Sequence, residues 1–191
     1  MCLISVGNTL EIRLLAAVQQ MRMPWLDVVM LCFTYLGSVY GIIAVLLLSF
    51  IKRDVKGFSF PLIVTVTVSW LLNELIKVIV ARPRPPIAVL TESFYSFVSG
   101  HTMNNTTLYL MMFLLLALCL PVKKIWWLLL VPLPIAFSRL YFAVHYPTDV
   151  LGGFAASVML VVVAFSILHL IPDKKQNGPS DLNADNGLKI T

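Results

Sequence analysis

The sequence predicts an all-α membrane protein, a polytopic bundle of about five transmembrane helices. Of its 191 residues, 59% are hydrophobic and only 12% are charged, whereas soluble domains carry about a quarter charged residues. The apolar residues fall in long runs separated by short polar loops, and about 20 such residues are needed to cross a bilayer. No repeat divides the chain, so residues 1–172 are expected to form one membrane-embedded domain.

The chain starts with a predicted amphipathic helix over residues 8–21. One face of this helix carries only apolar or small side chains: Leu10, Leu14, Ala17, Val18 and Met21. Glu11 and two glutamines lie elsewhere on it, which is typical of a helix lying in the membrane interface. A short additional span, giving six membrane helices, is the alternative, but Glu11, Arg13 and Arg22 argue against it.

Five further segments are predicted to span the membrane, because each is apolar and long enough at about 1.5 Å per residue. They are residues 28–51, 58–80, 102–120, 125–144 and 150–171. Pro132 and Pro134 predict a kink in the fourth span. The remaining residues, 173–191, show no apolar period and predict a disordered cytoplasmic tail.

Charge in the loops predicts the orientation. The loops after the first and third spans, together with the tail, carry these basic residues: Lys52, Arg53, Lys56, Lys123, Lys124, Lys174 and Lys175. By the positive-inside rule this face is cytoplasmic, and the loops after the second and fourth spans look outward. The basic residues behind the formal net charge of +5 thus lie in these loops and in the polar clusters described next. No basic stretch interleaved with aromatic residues predicts nucleic-acid binding.

The first polar cluster follows the second span. Lys77 lies in its last turn, where a long basic side chain can also simply reach the interface. Arg84 lies between Pro83 and Pro85, which hold its backbone extended and favour bidentate binding of a phosphate. Arg82 competes for this role by proximity. Glu74 shares the helix face of Lys77 and is expected to support it as an ion-pair partner.

Two more clusters fall at the same predicted membrane face. Ser99, Gly100 and His101 precede the third span, where a helix start with a Ser cap and a Gly offers backbone amides to an anion. Ser138 and Arg139 end the fourth span. His145 follows, and Asp149, four residues later, either hydrogen bonds the imidazole and fixes its tautomer or caps the next helix.

Taken together, these clusters resemble the three-part signature of the type 2 phosphatidic acid phosphatase superfamily. The family pattern runs Lys, six residues, Arg-Pro; then Pro-Ser-Gly-His; then Ser-Arg, five residues, His, three residues, Asp. Its register selects Arg84 over Arg82. One position departs, because Val98 stands where the family has Pro, which bears on the loop rather than on a reactive group.

The resemblance implies a metal-independent lipid phosphatase with no cofactor, working through a phosphohistidine. His145, oriented by Asp149, would attack phosphorus, and His101 would protonate the leaving oxygen. Binding of the phosphate would fall to Lys77, Arg84, Ser99, Gly100 and Arg139, supported by Ser138 and Glu74. Cys2, Cys32 and Cys119 share no ligand spacing that would indicate a metal site.

The expected substrate is a lipid phosphate or pyrophosphate reached from the outer face of the cell membrane, first of all undecaprenyl pyrophosphate. Phosphatidylglycerophosphate, phosphatidic acid and diacylglycerol pyrophosphate are the alternatives within the same chemistry. A lipid phosphotransferase would use the same phosphoenzyme, and a non-catalytic lipid-phosphate binding or transport protein would use only the cations. No oligomeric state is predicted.

Overall fold

A computed structural model describes residues 9–50, 55–92 and 94–170. These residues are largely helical and contain no strand, which confirms the all-α class. The helices are α1 (Thr9–Gln19), α2 (Pro24–Leu36), α3 (Val39–Ser49), α4 (Phe60–Val80), α5 (Gly100–Ala117), α6 (Val122–Ile125), α7 (Pro132–Tyr141) and α8 (Pro147–Leu170). A π-helical turn, Val55–Ser59, precedes α4, and a 3-10 helix, Trp126–Leu130, precedes α7. The predicted tail lies outside the described residues.

Helix α5 forms the centre of the bundle and packs against α4, α7 and α8. Leu108 and Met111 of α5 are buried against Leu62, Ile135 and Val161 of these neighbours. Large apolar side chains on the outer faces of α4 and α8 are exposed instead, as expected where the neighbour is lipid. The arrangement places the first turn of α5 between the two polar loops that follow α4 and α7.

Two helical stretches within the described ranges, Gly57–Val80 and Pro147–Leu170, are long and apolar enough to cross a membrane. They correspond to the predicted second and fifth spans. The pair α2 and α3 adds a third if it is one bent span. That the remaining helices also cross the membrane, which would give five spans, stays a prediction.

The predicted first span, residues 28–51, is not a single straight helix. The chain breaks at Gly37 and Ser38 into α2 and α3, which are bent by 55°. Asn105 of α5 donates a hydrogen bond to the Gly37 carbonyl at 2.8 Å. A Cβ atom at Gly37 would lie only 2.3 Å from Ile135, so glycine permits this close approach. The bend therefore results from packing on α5 and α7, which an apolar run does not reveal.

The N-terminal helix is present as α1, two residues shorter than predicted at its C-terminal end. Leu10 and Leu14, on the predicted apolar face, are exposed. The opposite face is the one that contacts the protein, since Leu15 packs on Ala143 and Tyr146. Glu11 is buried on that same face, which the amphipathic pattern does not predict.

The fourth predicted span changes character at its prolines. The 3-10 helix ends at Leu130, and α7 starts at Pro132. Helix α7 ends at Tyr141, so its predicted extension to residue 144 is wrong. Ala143 has a φ of 51°, a left-handed conformation that a helix cannot continue through. This turn carries the chain directly to His145.

Candidate active site

The predicted clusters meet at a crevice of about 340 Å³ between α3 on one side and α4 and α5 on the other. Its polar end is formed by Asn73, Glu74, Lys77, Arg84, Glu92, Gly100, His101, Asn104 and His145. Its apolar end is formed by Val39, Ile42, Ile43, Leu46, Val66 and Trp70. Residues of all three clusters thus lie beside an apolar channel, which is the arrangement an amphiphilic phosphate requires.

His145 is buried, and its two ring nitrogens have different surroundings. Nδ1 lies 2.8 Å from the Ser96 carbonyl oxygen. A carbonyl can only accept, so Nδ1 carries the proton and Nε2 keeps its lone pair. Burial, together with Arg139 and Arg84, outweighs Asp149 and lowers the pKa of His145 to about 4. The imidazole is therefore neutral near pH 7, the state in which Nε2 is a nucleophile.

Asp149 orients His145 less directly than predicted. Its Oδ2 lies 3.6 Å from Nδ1 of His145, which is an ion-pair distance and too long for a hydrogen bond. The carboxylate instead accepts hydrogen bonds from the Ser96 hydroxyl and, at 2.8 Å, from the Tyr146 amide. Because the Ser96 carbonyl bonds Nδ1, Ser96 connects the two predicted residues through both its side chain and its backbone. Asp149 is the third residue of α8 and not its N-cap, as the alternative prediction had it. It still caps the helix start from within, because its carboxylate bonds the amide of Tyr146, the residue before α8.

Arg139 and Arg84 converge beside His145. Arg139 has no exposed surface; its Nη2 donates to Glu92, while its Nε and Nη1 have no hydrogen-bond partner within the described ranges. Arg84 donates from Nη1 to the Val144 carbonyl at 2.9 Å, and the same atom lies 3.4 Å from Nε2 of His145. Buried donors without partners are costly, and the oxygens of a phosphate would satisfy those of Arg139.

Glu92 places a carboxylate between these two arginines. Oε1 bonds Arg139, and Oε2 lies 3.9 Å from Nη2 of Arg84. Burial raises the pKa of Glu92, but Arg139 and Arg84 outweigh it, so the net pKa lies below its usual range. An ionised carboxylate therefore offsets part of the positive charge of these two arginines.

Lys77 and Gly100 form the opposite side of the polar end. The Lys77 ammonium donates to Glu74 at 2.9 Å, which confirms the predicted pairing. A Cβ added at Gly100 would lie 2.9 Å from Oδ1 of Asn73 and 3.6 Å from the Lys77 ammonium nitrogen. Only a glycine leaves room at this helix start, as predicted for close backbone approach.

His101 lies in the first turn of α5, on the crevice wall. Its ring hydrogen bonds the backbone of Thr34, near the end of α2, where the break at Gly37 leaves carbonyls without helical partners. Thr34 also bonds Ser138 through the two hydroxyls at 2.9 Å. Ser138 thus acts as the predicted supporting residue. It joins α7 to α2, the helix whose Thr34 hydrogen bonds the His101 ring.

Ser99 is placed differently from its predicted role as a phosphate ligand. Its hydroxyl accepts hydrogen bonds from the Thr102 amide at 3.5 Å and from the Thr102 hydroxyl at 3.0 Å. Ser99 is fully buried, and its hydroxyl is already occupied by the two groups of Thr102. It is the N-cap of α5, as also predicted, and acts by fixing the helix start that presents Gly100 and His101.

Arg82, the alternative to Arg84 as the phosphate-binding arginine, points away from the crevice. It donates to Asp149 at 2.5 Å, to Glu11 at 2.8 Å and to the Thr148 hydroxyl at 2.7 Å. Its guanidinium also lies 4.1 Å from the centre of the Tyr146 ring. The phosphate side of the site therefore belongs to Arg84, and Arg82 holds the carboxylate that neighbours His145.

The sequence alone did not predict that four further residues belong to the site or support it: Glu11, Asn73, Glu92 and Ser96. Ser96 and Glu92 lie in the irregular loop after α4, where no periodicity indicates which side chains turn inward. A polar residue inside an apolar run, such as Asn73, is a signal for function. Glu11 carried a weaker signal, as a carboxylate on a predicted amphipathic helix.

The family model of the PAP2 superfamily matches residues 58–172, which include every motif residue described above. The chain belongs to the PAP2 superfamily. It is 34% identical to phosphatidylglycerophosphatase B of Bacillus subtilis over 150 residues, covering 73% of each chain. It is 38% identical to decaprenylphosphoryl-5-phosphoribose phosphatase of Mycobacterium tuberculosis over 98 residues, about half of each chain.

Two solved structures share the fold. The transmembrane PAP2-type phosphatidylglycerolphosphate phosphatase of Bacillus subtilis superposes with a TM-score of 0.78 at 26% identity, over 87% of this chain and 88% of that one. LpxE of Aquifex aeolicus gives a TM-score of 0.73 at 26% identity, over 87% and 99%. With the membrane helices, these matches make the chain an integral membrane lipid phosphatase that hydrolyses phosphate monoesters.

Proposed function

We propose that this PAP2 enzyme removes the terminal phosphate of phosphatidylglycerophosphate or a closely related glycerolipid phosphate, through a phosphohistidine at His145. The observation that carries the mechanism is the state of His145. Its Nδ1 proton is bound by the Ser96 carbonyl, and its Nε2 lies at the polar end of the crevice beside Arg84. A neutral imidazole fixed in this tautomer can attack phosphorus.

In the first step Nε2 of His145 forms a bond to phosphorus while the bond from phosphorus to the ester oxygen breaks. Burial and the neighbouring cations lower the pKa of His101, so His101 enters this step protonated only with the negative charge of the bound phosphate ester beside it. The leaving oxygen takes that proton and departs as the lipid alcohol. In the second step water attacks the phosphohistidine, His101 accepts the water proton, and the bond from phosphorus to Nε2 breaks. Inorganic phosphate leaves, and both histidines return to their first state.

Fixed positive charge stabilises the transferring phosphoryl group in both steps. Arg84 lies with His145 on the crevice wall, and so does Lys77 with Gly100. Arg139 is fully buried and not part of the wall, and it contributes its positive charge close to His145. The two donors of Arg139 without partners in the described residues suit oxygens that gain charge as the reaction proceeds. Ser99 contributes by capping α5, and Ser138 and Glu74 by holding their neighbours.

The choice of substrate rests on similarity. A relative that is 34% identical and a solved structure that superposes well both carry names for phosphatidylglycerophosphate phosphatases. The apolar channel accepts lipid tails in general, so undecaprenyl pyrophosphate, the first sequence-based expectation, stays a prediction. The outward orientation of the site also stays a proposal, supported by the basic residues of the opposite loops.

The deciding experiment is phosphate release from purified enzyme in detergent, in the presence of EDTA. The assay compares three lipids at equal mole fraction in the detergent micelles: phosphatidylglycerophosphate, phosphatidic acid and undecaprenyl pyrophosphate. We expect the highest kcat/KM for phosphatidylglycerophosphate. The lipid products are separated, so that transfer of phosphate to an acceptor alcohol is distinguished from hydrolysis. Strict dependence on an added divalent ion would contradict the cation-based mechanism.

Histidine variants test the covalent step. His145→Ala should abolish both turnover and an acid-labile phosphoenzyme trapped from labelled lipid. His101→Ala should slow release of the alcohol. His169→Ala is the matched control, because His169 is exposed near the end of α8 and should leave turnover unchanged. Wild-type turnover by His145→Ala would refute the proposal.

Orientation is tested by labelling a single cysteine. Thr91→Cys, at an exposed position of the loop after α4, is introduced into a chain whose three native cysteines are replaced. An impermeant thiol reagent should label it in intact cells. Labelling only after lysis would place the site in the cytoplasm.

A further inference from the structure

Two asparagines line the crevice one helical turn further into the membrane than the phosphate-binding groups. Asn73 precedes Lys77 by four residues on α4, and Asn104 follows Gly100 by four residues on α5. Residues four apart share a helix face and differ in depth by about 6 Å. The two amides therefore lie between the phosphate site and the apolar channel, where the headgroup of a bound lipid would pass.

Asn73 presents an acceptor without a donor. It is fully buried, and its Nδ2 donates to the Val98 carbonyl at 3.2 Å and contacts the Met103 sulfur at 3.8 Å. Its Oδ1 has no hydrogen-bond partner among the residues that the structure describes. This oxygen faces Gly100, because a Cβ there would lie 2.9 Å from it. A buried acceptor of this kind costs about 1–3 kcal/mol unless a ligand supplies a donor.

Asn104 presents the complementary donor. Its Oδ1 accepts a hydrogen bond from the Ser69 hydroxyl at 2.8 Å, and Ser69 in turn accepts one from Thr107 at 3.1 Å. This chain of hydroxyls fixes the orientation of the amide, so that Nδ2 is turned away from Ser69. Asn104 is part of the crevice wall, where this amide group can donate to a ligand.

We propose that Asn73 and Asn104 form a subsite for a hydroxyl group in the substrate headgroup, close to the phosphate that is removed. A hydroxyl donates one hydrogen bond and accepts others, so it satisfies both the Asn73 oxygen and the Asn104 amide. An ester carbonyl or an ionised phosphate oxygen has no proton for Asn73. The inference rests on the proposed function, and it assigns the substrate to lipids with a hydroxylated headgroup.

This subsite separates the two substrate classes that the motifs leave open. The phosphoglycerol headgroup of phosphatidylglycerophosphate carries a free hydroxyl beside the phosphorylated carbon. A polyprenyl pyrophosphate has only hydrocarbon beyond its phosphates, and phosphatidic acid has its remaining glycerol oxygens esterified. Either would leave the Asn73 acceptor unpaired in the bound state, and unpaired buried polar groups are the strongest basis for rejecting an analogue.

The test compares phosphatidylglycerophosphate with an analogue in which hydrogen replaces the free headgroup hydroxyl. Both are presented to the wild-type enzyme in the same mixed micelles, and phosphate release gives kcat/KM for each. We expect a preference of at least about tenfold for the hydroxylated lipid, equivalent to about 1.4 kcal/mol. Equal rates would overturn the subsite and leave the phosphatase assignment intact. No phosphate release from either lipid would overturn the proposed function itself.

Variants then assign the preference to the two amides. Asn73→Leu and Asn104→Leu should each lower kcat/KM for the hydroxylated lipid more than for the analogue, which brings the ratio toward one. Ser157→Ala is the control, because it removes a buried hydroxyl on α8 that bonds the Met103 carbonyl at 2.8 Å, outside the crevice. It should keep the wild-type ratio. A ratio unchanged in both asparagine variants would refute the assignment.

Discussion

Nη1 of Arg82 lies 2.5 Å from Oδ1 of Asp149, the carboxylate that neighbours His145. Nη2 of the same guanidinium lies 2.8 Å from Glu11 of the N-terminal helix. All three side chains are buried, so one cation pairs with two carboxylates in the protein interior. The N-terminal helix is thereby connected to the site through a charge network rather than only through apolar contacts.

Replacing Arg82 should destabilise the protein strongly. Arg82→Met leaves Glu11 and Asp149 buried without their cation, and breaking a buried pair in this way costs about 3–5 kcal/mol. The measurement is thermal unfolding in detergent. Arg22→Met is the matched control, because the Arg22–Asp27 pair at 2.6 Å is about 30% exposed and such pairs contribute at most about 1 kcal/mol. Equal losses in the two variants would contradict the structural role of Arg82.

The ionisation of His145 gives a second prediction. Its pKa is lowered to about 4, chiefly by burial, so the neutral form persists as the pH falls well below 6.5. The unfolded ring takes up its proton near pH 6.5 and the folded ring only near pH 4, so stability should fall as the pH drops from about 6.5 to about 4 and change no further below that. NMR of histidine labelled with ¹⁵N, with His145→Asn to assign the signal, should give a midpoint near 4. A midpoint at or above 6.5 would contradict a neutral nucleophile.

Glu92 should weaken anion binding. Its ionised carboxylate bonds Arg139 and lies near Arg84, so an incoming anion must displace it or share the two cations. Glu92→Gln should tighten inhibition by orthovanadate about tenfold, which corresponds to about 1.4 kcal/mol. The comparison is Glu74→Gln, whose carboxylate is 40% exposed and screened by solvent, and which should change inhibition less. Weaker inhibition of Glu92→Gln would indicate that Glu92 organises the arginines for the anion.

Gly100 should tolerate no side chain while Asn73 is present. The added methyl group of Gly100→Ala would lie 2.9 Å from Oδ1 of Asn73, and it would push either α5 or the asparagine away from the phosphate. We expect KM to rise about tenfold or more, with a loss of about 1–3 kcal/mol in stability from overpacking. Asn73→Ala in the same chain should restore part of the stability. Additive losses in unfolding free energy would contradict this contact.

Much of the site was predictable because its residues stand at fixed intervals on helices or directly at their ends. Lys77 and Glu74 share a face of α4 whatever the rest of the chain does, and Ser99, Gly100 and His101 mark a helix start by their own chemistry. Loop length then limits how far Arg139, His145 and Asp149 can separate. The all-α class followed from the apolar runs, which have no other stable backbone in lipid.

Contacts between distant parts of the chain could not be predicted in this way. The run from residue 28 to 51 looks like one helix, because its composition does not encode the approach of Gly37 to Ile135 and Asn105. Arg82 and Arg84 are equivalent by composition and proximity, and only packing turns one toward Glu11 and the other toward His145. Ser96 and Glu92 lie in irregular backbone, where side-chain direction has no period.

The sequence by itself thus determined the class of protein, the membrane helices as apolar runs, and the set of cations and imidazoles available for chemistry. The tertiary structure decided which group bonds which: Ser96 rather than Asp149 at Nδ1 of His145, Glu92 between the arginines, and Thr102 rather than a phosphate at the Ser99 hydroxyl. The physical reason is the separation along the sequence over which each interaction acts. Periodicity and capping act within a few residues, whereas the pairing of buried polar groups depends on which distant helix supplies the partner.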